Sequence, residues 1–281
     1  MGCKLMPDFL DRSPNDYSHL DRPEVLMTLF HPRPEHGSNG KPANAIDLLI
    51  PVGNDIVVGG RFHMIEKSAP NIFFFHGNGE IVADYDELGP LYNCMGMNFL
   101  PIDYRGYGRS TGSPTVTTMM RDCHAIFEFT KEWLEGNGYS GAFIAMGRSL
   151  GSASALELAS HHKTRIDGLV VESGFAHTGP LLALLGVNSS AMGFREEKGI
   201  RNLEKIRTWD KPTLVIHAEF DHIIPFSDGR ALYDACPSSD KTLLKIPGAN
   251  HNDIFMRGLD EYMRAVKILS ERSAGKTAAN P

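Results

Sequence analysis

Two hydrophobic rhythms divide the chain. Residues Ile46 to Val52 and Ile56 to Ile65 are β-rich runs on either side of Gly53-Asn54-Asp55, which predicts an antiparallel hairpin. Beyond it, continuous apolar runs of four to eight residues recur at Asn71 to Phe75, Asn98 to Tyr104, Ala142 to Met146, Leu169 to Val171, Thr213 to His217 and Thr242 to Ile246. Runs without alternation, separated by helix-length segments, predict strands buried on both faces of a mostly parallel sheet. The helical segments fall at about Ile81 to Cys94, Thr115 to Glu135, Leu150 to His161, Ser227 to Ala235 and Asp253 to Arg272. Met119, Cys123, Ile126, Phe127, Thr130 and Leu134 give the three- and four-residue spacing of one such face. Ahead of the hairpin, Asp21-Arg22-Pro23-Glu24 reads as an N-cap and a first-turn proline opening a short helix through Phe30.

The expected organisation is a leader over residues 1–45 with its short helix packed on the core, one α/β domain over 46–272, and a flexible tail over 273–281. One connection is longer than two successive strands need. The stretch from Gly174 to Thr208 holds Leu181-Leu182-Ala183-Leu184-Leu185, and a long insert in a compact α/β domain is often a lid or binding element. The same leucines also fit the inner face of a packing helix.

Composition narrows the function more than the fold. At 281 residues, 42% hydrophobic and 22% charged, the chain is that of a globular protein, and no linker-like stretch divides it. With 28 basic against 34 acidic side chains, it lacks the basic footprint that nucleic acid requires. No apolar stretch approaches a membrane span, and Lys4, Asp8, Asp11 and Arg12 interrupt the region where a signal peptide would be apolar. A cytoplasmic protein without stable membrane insertion is therefore expected. Cys3, Cys94, Cys123 and Cys236 include no C-x-x-C pair, and no ligand-spaced partner accompanies His76, so neither a metal nor another cofactor is expected.

The chemistry concentrates around a serine. Gly147-Arg148-Ser149-Leu150-Gly151 matches G-x-S-x-G, the strand-to-helix turn that exposes a nucleophile, and a second match runs from Gly108 to Gly112 around Ser110. Only Ser149 has a strand before it and a helix after it; Ser110 lies in loop sequence ahead of Pro114. A serine needs a base and an orienting acid, in the chain order serine, acid, histidine. Asp221 and His251 both follow predicted strands, at the sheet edge where such sites gather. Glu172, Glu219 and Asp253 are rival acids, Glu172 the most serious. His76-Gly77-Asn78-Gly79 ends a strand with the conformational freedom that an oxyanion hole needs, its donors expected from the amides of Asn78 and Leu150. Phe175, Leu182 and Leu185 are candidates for a substrate wall.

With these motifs the chain resembles the α/β-hydrolase superfamily of serine hydrolases from about Ile46 to Ser270. The resemblance rests on H-G-N-G at 76–79, D-Y-R-G-Y-G-R-S at 103–110, G-R-S-L-G at 147–151 and the Asp221 and His251 loops. The 103–110 segment is similar to that of the monoacylglycerol-lipase-like, lysophospholipase-like and depalmitoylating branch, where it shapes the loop beside the site. Depalmitoylating members carry a cysteine-rich N-terminal anchor, and this chain has only Cys3 there. The resemblance implies an eight-stranded, mostly parallel sheet with antiparallel first strands, helices on both faces and a small cap between the sixth and seventh strands. It implies hydrolysis of a small acyl ester or thioester through an acyl-enzyme. An amidase, peptidase or acyltransferase with the same triad, and a non-catalytic binding protein on the same fold, are the alternatives.

Overall fold

The computed structural model describes residues 15–36, 42–53 and 55–275. Cys3 and the residues around it lie outside the described residues, as does the expected tail from 276 onward. Among the described residues eight strands form one sheet: β1 (Ala45–Pro51), β2 (Val57–His63), β3 (Asn71–Phe75), β4 (Asn98–Ile102), β5 (Phe143–Arg148), β6 (Gly168–Glu172), β7 (Thr213–Ala218) and β8 (Lys241–Ile246). Their order is β1-β2-β4-β3-β5-β6-β7-β8. β1 and β2 pair antiparallel, β2 meets β4 antiparallel, and every pairing from β4 to β8 is parallel. Strands β3 to β7 are buried along their whole length, which is why their sequences do not alternate.

Period-two geometry still sorts their side chains between two cores. Phe73 and Phe75 face the cluster built with α3 (Val116–Gly136), α4 (Gly151–His161) and α7 (Phe226–Ala235). Ile72 and Phe74 face the cluster built with α2 (Leu88–Cys94) and α8 (Ile254–Ser273). Helices therefore cover both faces, and the sheet's carboxyl edge is left for the connecting loops.

Two local departures have simple causes. The helix expected from Ile81 to Cys94 is a 3-10 turn, Val82–Tyr85, followed by α2. Pro90 lacks an amide hydrogen and would break a continuous helix, whereas in the first turn of α2 it costs little. α1 (Pro23–Leu29) starts on Pro23, and its N-cap is Arg22, not Asp21. The Asp21 carboxylate instead accepts the Thr117 amide at 3.1 Å, at the beginning of α3. The connection from β6 to β7 contains α5 (Thr178–Leu184), a 3-10 turn Glu196–Lys198, and α6 (Asn202–Ile206).

Candidate active site

The serine elbow follows from close backbone packing. A Cβ on Gly147 would lie 2.2 Å from the Gly151 carbonyl oxygen, and one on Gly151 would lie 2.1 Å from that of Phe75. Only glycine at both positions lets β5 turn this sharply into α4. Between them Ser149 has φ 51°, the left-handed conformation that side chains otherwise avoid. Its amide is held by the Glu172 carbonyl at 2.8 Å and its own carbonyl accepts the Ser152 hydroxyl at 2.6 Å. The backbone strain is thus fixed from both sides.

Loops after β7 and β8 bring the other two groups to it. His251 Nε2 lies 3.1 Å from Ser149 Oγ, and His251 Nδ1 lies 2.7 Å from Asp221 Oδ2. The second oxygen of Asp221 accepts the amides of Ile223 and Ile224 at 3.0 and 2.8 Å. Burial by itself would raise the Asp221 carboxyl, but the hydrogen bond and charge of His251, with those two amides, hold it below its ordinary value. Behind it, buried His217 donates to the Ile224 carbonyl at 2.8 Å, and burial keeps this ring neutral by lowering its pKa.

The rival residues are occupied elsewhere. Glu172 is fully buried, paired with Arg148 at 2.7 Å and bonded by the Tyr262 hydroxyl at 2.7 Å. Glu219 pairs with Lys245, and Asp253 accepts the amide of Asn250 within the His251 loop. Ser110 Oγ accepts the Gly59 amide at 2.9 Å and so ties its loop to β2.

Asn78, Leu150, Ser149 and His251 line a single cavity of about 280 Å³. Among the described residues the amides of Asn78 and Leu150 meet no acceptor, while the neighbouring Gly77 amide is taken by Glu80 at 2.7 Å. The Asn78 side chain is pinned, its oxygen accepting the His31 amide at 2.8 Å and the Tyr107 hydroxyl at 2.9 Å. His76 is buried, with Nδ1 on the Gly77 carbonyl at 2.7 Å, Nε2 3.3 Å from Asp103, and its own carbonyl accepting the Tyr104 hydroxyl at 2.6 Å. The Asp103 to Gly108 segment therefore buttresses the loop from beneath.

The apolar part of the cavity is made by Leu29, Leu181, Leu185, Ile223 and Ile224. Of the three wall residues expected from the sequence, only Leu185 lies there. Phe175 and Leu182 are buried in the core, because one helical turn of α5 aims Leu181 and Leu185 at the cavity and rotates Leu182 inward. Leu29 and His31 were not anticipated, since nothing local in the sequence ties α1 to a loop far down the chain. Among the described residues, His124, Glu157 and His161 alone lie close enough together to share a metal ion. Lys205 Nζ, 2.8 Å from Glu157, already meets the charge of that carboxylate, and the trio sits at the opposite end of α4 from Ser149.

The hydrolase family described as serine aminopeptidase, S33, matches residues 66–193 and 197–255. The chain belongs to this family. The α/β-hydrolase domain-containing protein aho-3 of Caenorhabditis elegans is 33% identical over 65% of the chain and 52% of its own length. Protein bem46 of Schizosaccharomyces pombe is 27% identical over 66% and 63%. Human α/β-hydrolase domain-containing protein 17B is 29% identical over 73% and 68%. The chain thus spans between half and two thirds of the first two relatives. Among solved structures, the Pyrococcus furiosus esterase Pf2001 aligns with TM-score 0.69 at 18% identity, over 86% of this chain and 99% of that one. The Paleococcus ferrophilus monoacylglycerol lipase aligns with TM-score 0.58 at 19% identity, over 79% and 100%. These neighbours establish the α/β-hydrolase fold of this family member, and no helix among its described residues is long and apolar enough to cross a membrane.

Proposed function

We propose that the protein is a serine hydrolase that cleaves carboxylic esters or thioesters through an acyl-enzyme. The observation that carries this reading is one imidazole, His251, placed between Ser149 Oγ and the Asp221 carboxylate. His251 takes the proton from Ser149 as Oγ attacks the acyl carbonyl, and Asp221 stabilises the imidazolium. The amides of Asn78 and Leu150 receive the oxyanion, supplying the electrostatic stabilisation of the tetrahedral intermediate. His251 then protonates the departing alkoxide or thiolate, and a water it activates releases the acid. The apolar wall of Leu29, Leu181, Leu185, Ile223 and Ile224 suits an acyl chain.

The family's description favours a second reading, release of an N-terminal amino acid. An aminopeptidase must hold a substrate ammonium group, and among the described residues the one carboxylate lining the cavity is Glu80. That side chain is already committed to Arg148, Gly77 and Tyr85, which favours the ester reading.

A fluorophosphonate probe followed by peptide mapping tests the proposal. Labelling at Ser149, lost in Ser149→Ala, is the expected result. Matched ester, thioester and amide substrates then separate the two readings. A folded protein that takes no label, or takes it at Ser110, would sink the assignment.

A further inference from the structure

Arg148 stands between Gly147 and Ser149 and takes no part in the proton relay. Its guanidinium is buried and donates in three directions: Nε to Glu80 Oε1 at 2.8 Å, Nη1 to Glu172 Oε1 at 2.7 Å, and Nη2 to the His251 main-chain carbonyl at 2.9 Å. Glu80 extends the first arm, because its other oxygen accepts the Gly77 amide at 2.7 Å and the Tyr85 hydroxyl at 2.5 Å. One planar cation therefore joins the loop carrying Asn78 to the loop carrying His251, from the residue beside the nucleophile.

We infer that Arg148 is a positioning residue, which through Glu80 and the His251 carbonyl holds the oxyanion loop and the base loop in register with Ser149. The inference rests on the hydrolase reading for its catalytic consequence, though not for the coupling of the loops. A buried ion network is a costly way to fill space, and apolar side chains of similar volume commonly do it as well or better. What apolar side chains lack is direction. A guanidinium offers a rigid fork of donors, where a lysine would offer one mobile charge.

The two carboxylates have different jobs. Glu80 receives a main-chain amide, which cannot turn round. Glu172 receives Tyr262, whose hydroxyl can rotate and accept instead. Glu172→Gln therefore preserves its arm of the network, whereas Glu80→Gln must leave the Gly77 amide or the Arg148 guanidinium short of an acceptor. Among the described residues the side chain of Glu172 makes no hydrogen bond to either loop.

Hydrogen exchange by mass spectrometry and steady-state turnover of 4-nitrophenyl butyrate, on the wild type, Arg148→Lys, Glu80→Gln and Glu172→Gln, test this. Arg148→Lys is expected to speed exchange in residues 76–80 and 248–253 together and to lower kcat about 10²-fold with little change in KM, as a displaced catalytic loop does. Glu80→Gln is expected to loosen 76–80 and to lower kcat in the same way. Glu172→Gln is expected to leave both loops and kcat at wild-type values. Wild-type exchange in both loops of Arg148→Lys overturns the inference, as does an equal kcat loss in Glu172→Gln. Should Arg148→Lys not fold, a folded Glu80→Gln with wild-type exchange and kcat overturns it as well. A wild type that neither hydrolyses ester nor takes the fluorophosphonate label refutes the hydrolase reading instead, and exchange still decides whether Arg148 couples the loops.

Discussion

Ser149 and Asp221 differ in how their sequence surroundings disclose them. The elbow announces itself, because close approach of backbones demands glycine at 147 and 151 and the chemistry demands serine between them. Asp221 is recognisable only by its place after a strand, and what sets it apart from Glu172 is three-dimensional: two amides and an imidazole converge on it. Asp221→Asn keeps the shape of this contact but offers an amide NH₂ or oxygen where the imidazole needs a charged acceptor. It is expected to lower kcat by about 10⁴-fold through the wrong histidine tautomer, measured on the same ester substrate with Tm as the folding check. Arg148 and Glu80 could not be picked out from the sequence. Charged residues in a variable motif position and a loop carry no period, and they meet each other across the fold while Arg148 also reaches β6 and the His251 loop.

At the scale of elements, five of the six apolar runs foretold β3 to β7 because strands covered on both faces cannot alternate; the sixth, Thr242 to Ile246, is the edge strand β8, which has one neighbour and is only partly buried, and the hairpin was marked by its turn residues. Helix ends were less readable where a capping side chain serves another element, as Asp21 serves α3. The leucine run at 181–185 shows the limit of local pattern. Five apolar residues over the end of one short helix and its C-cap cannot reveal which side meets a cavity and which meets the core. α5 resolves this by phase, and the two sides make different predictions. Leu181→Ala and Leu185→Ala are expected to lower kcat/KM for longer acyl esters about tenfold more than for acetate, Leu181→Ala with some loss of Tm as well, because its side chain also belongs to the core. Leu182→Ala is expected to cost about 2–5 kcal/mol of stability, read by denaturant unfolding, with no change in chain-length preference. Equal chain-length profiles for Leu181→Ala and the wild type would remove the acyl wall from the proposal.

The whole molecule carries an acid sensitivity built from groups away from the serine as well as beside it. Burial lowers His63 and His162 from 6.5 to about 4, with His124 adding to the effect at His162. Between those values the unfolded chain binds protons that the folded chain refuses, so stability falls as pH drops from about 6.5 to about 4, by at most about 3 kcal/mol per ring. Glu80 acts lower down. Burial would raise its carboxyl, but Arg148 and Tyr85 hold it at about 2, so its contribution is present above about 4.5 and is lost as pH falls toward 2. Denaturant midpoints across pH should therefore decline in two stages. Replacing both histidines with glutamine should flatten the upper stage alone; an unchanged upper stage would assign it to other groups.

The cavity has one further property, which concerns position along the chain rather than energy. The family match begins at residue 66 and takes in the elbow, the acid loop and most of the cap. Thr28, Leu29 and His31, which close one side of the same cavity, lie upstream of it, attached to the Asn78 loop through the His31 amide. Ser149, Asp221 and His251 thus come from within the matched region, and part of the cavity wall comes from upstream of it. On the proposed function, a change at residues 28–31 alters the wall that a substrate meets while leaving Ser149, Asp221 and His251 in place.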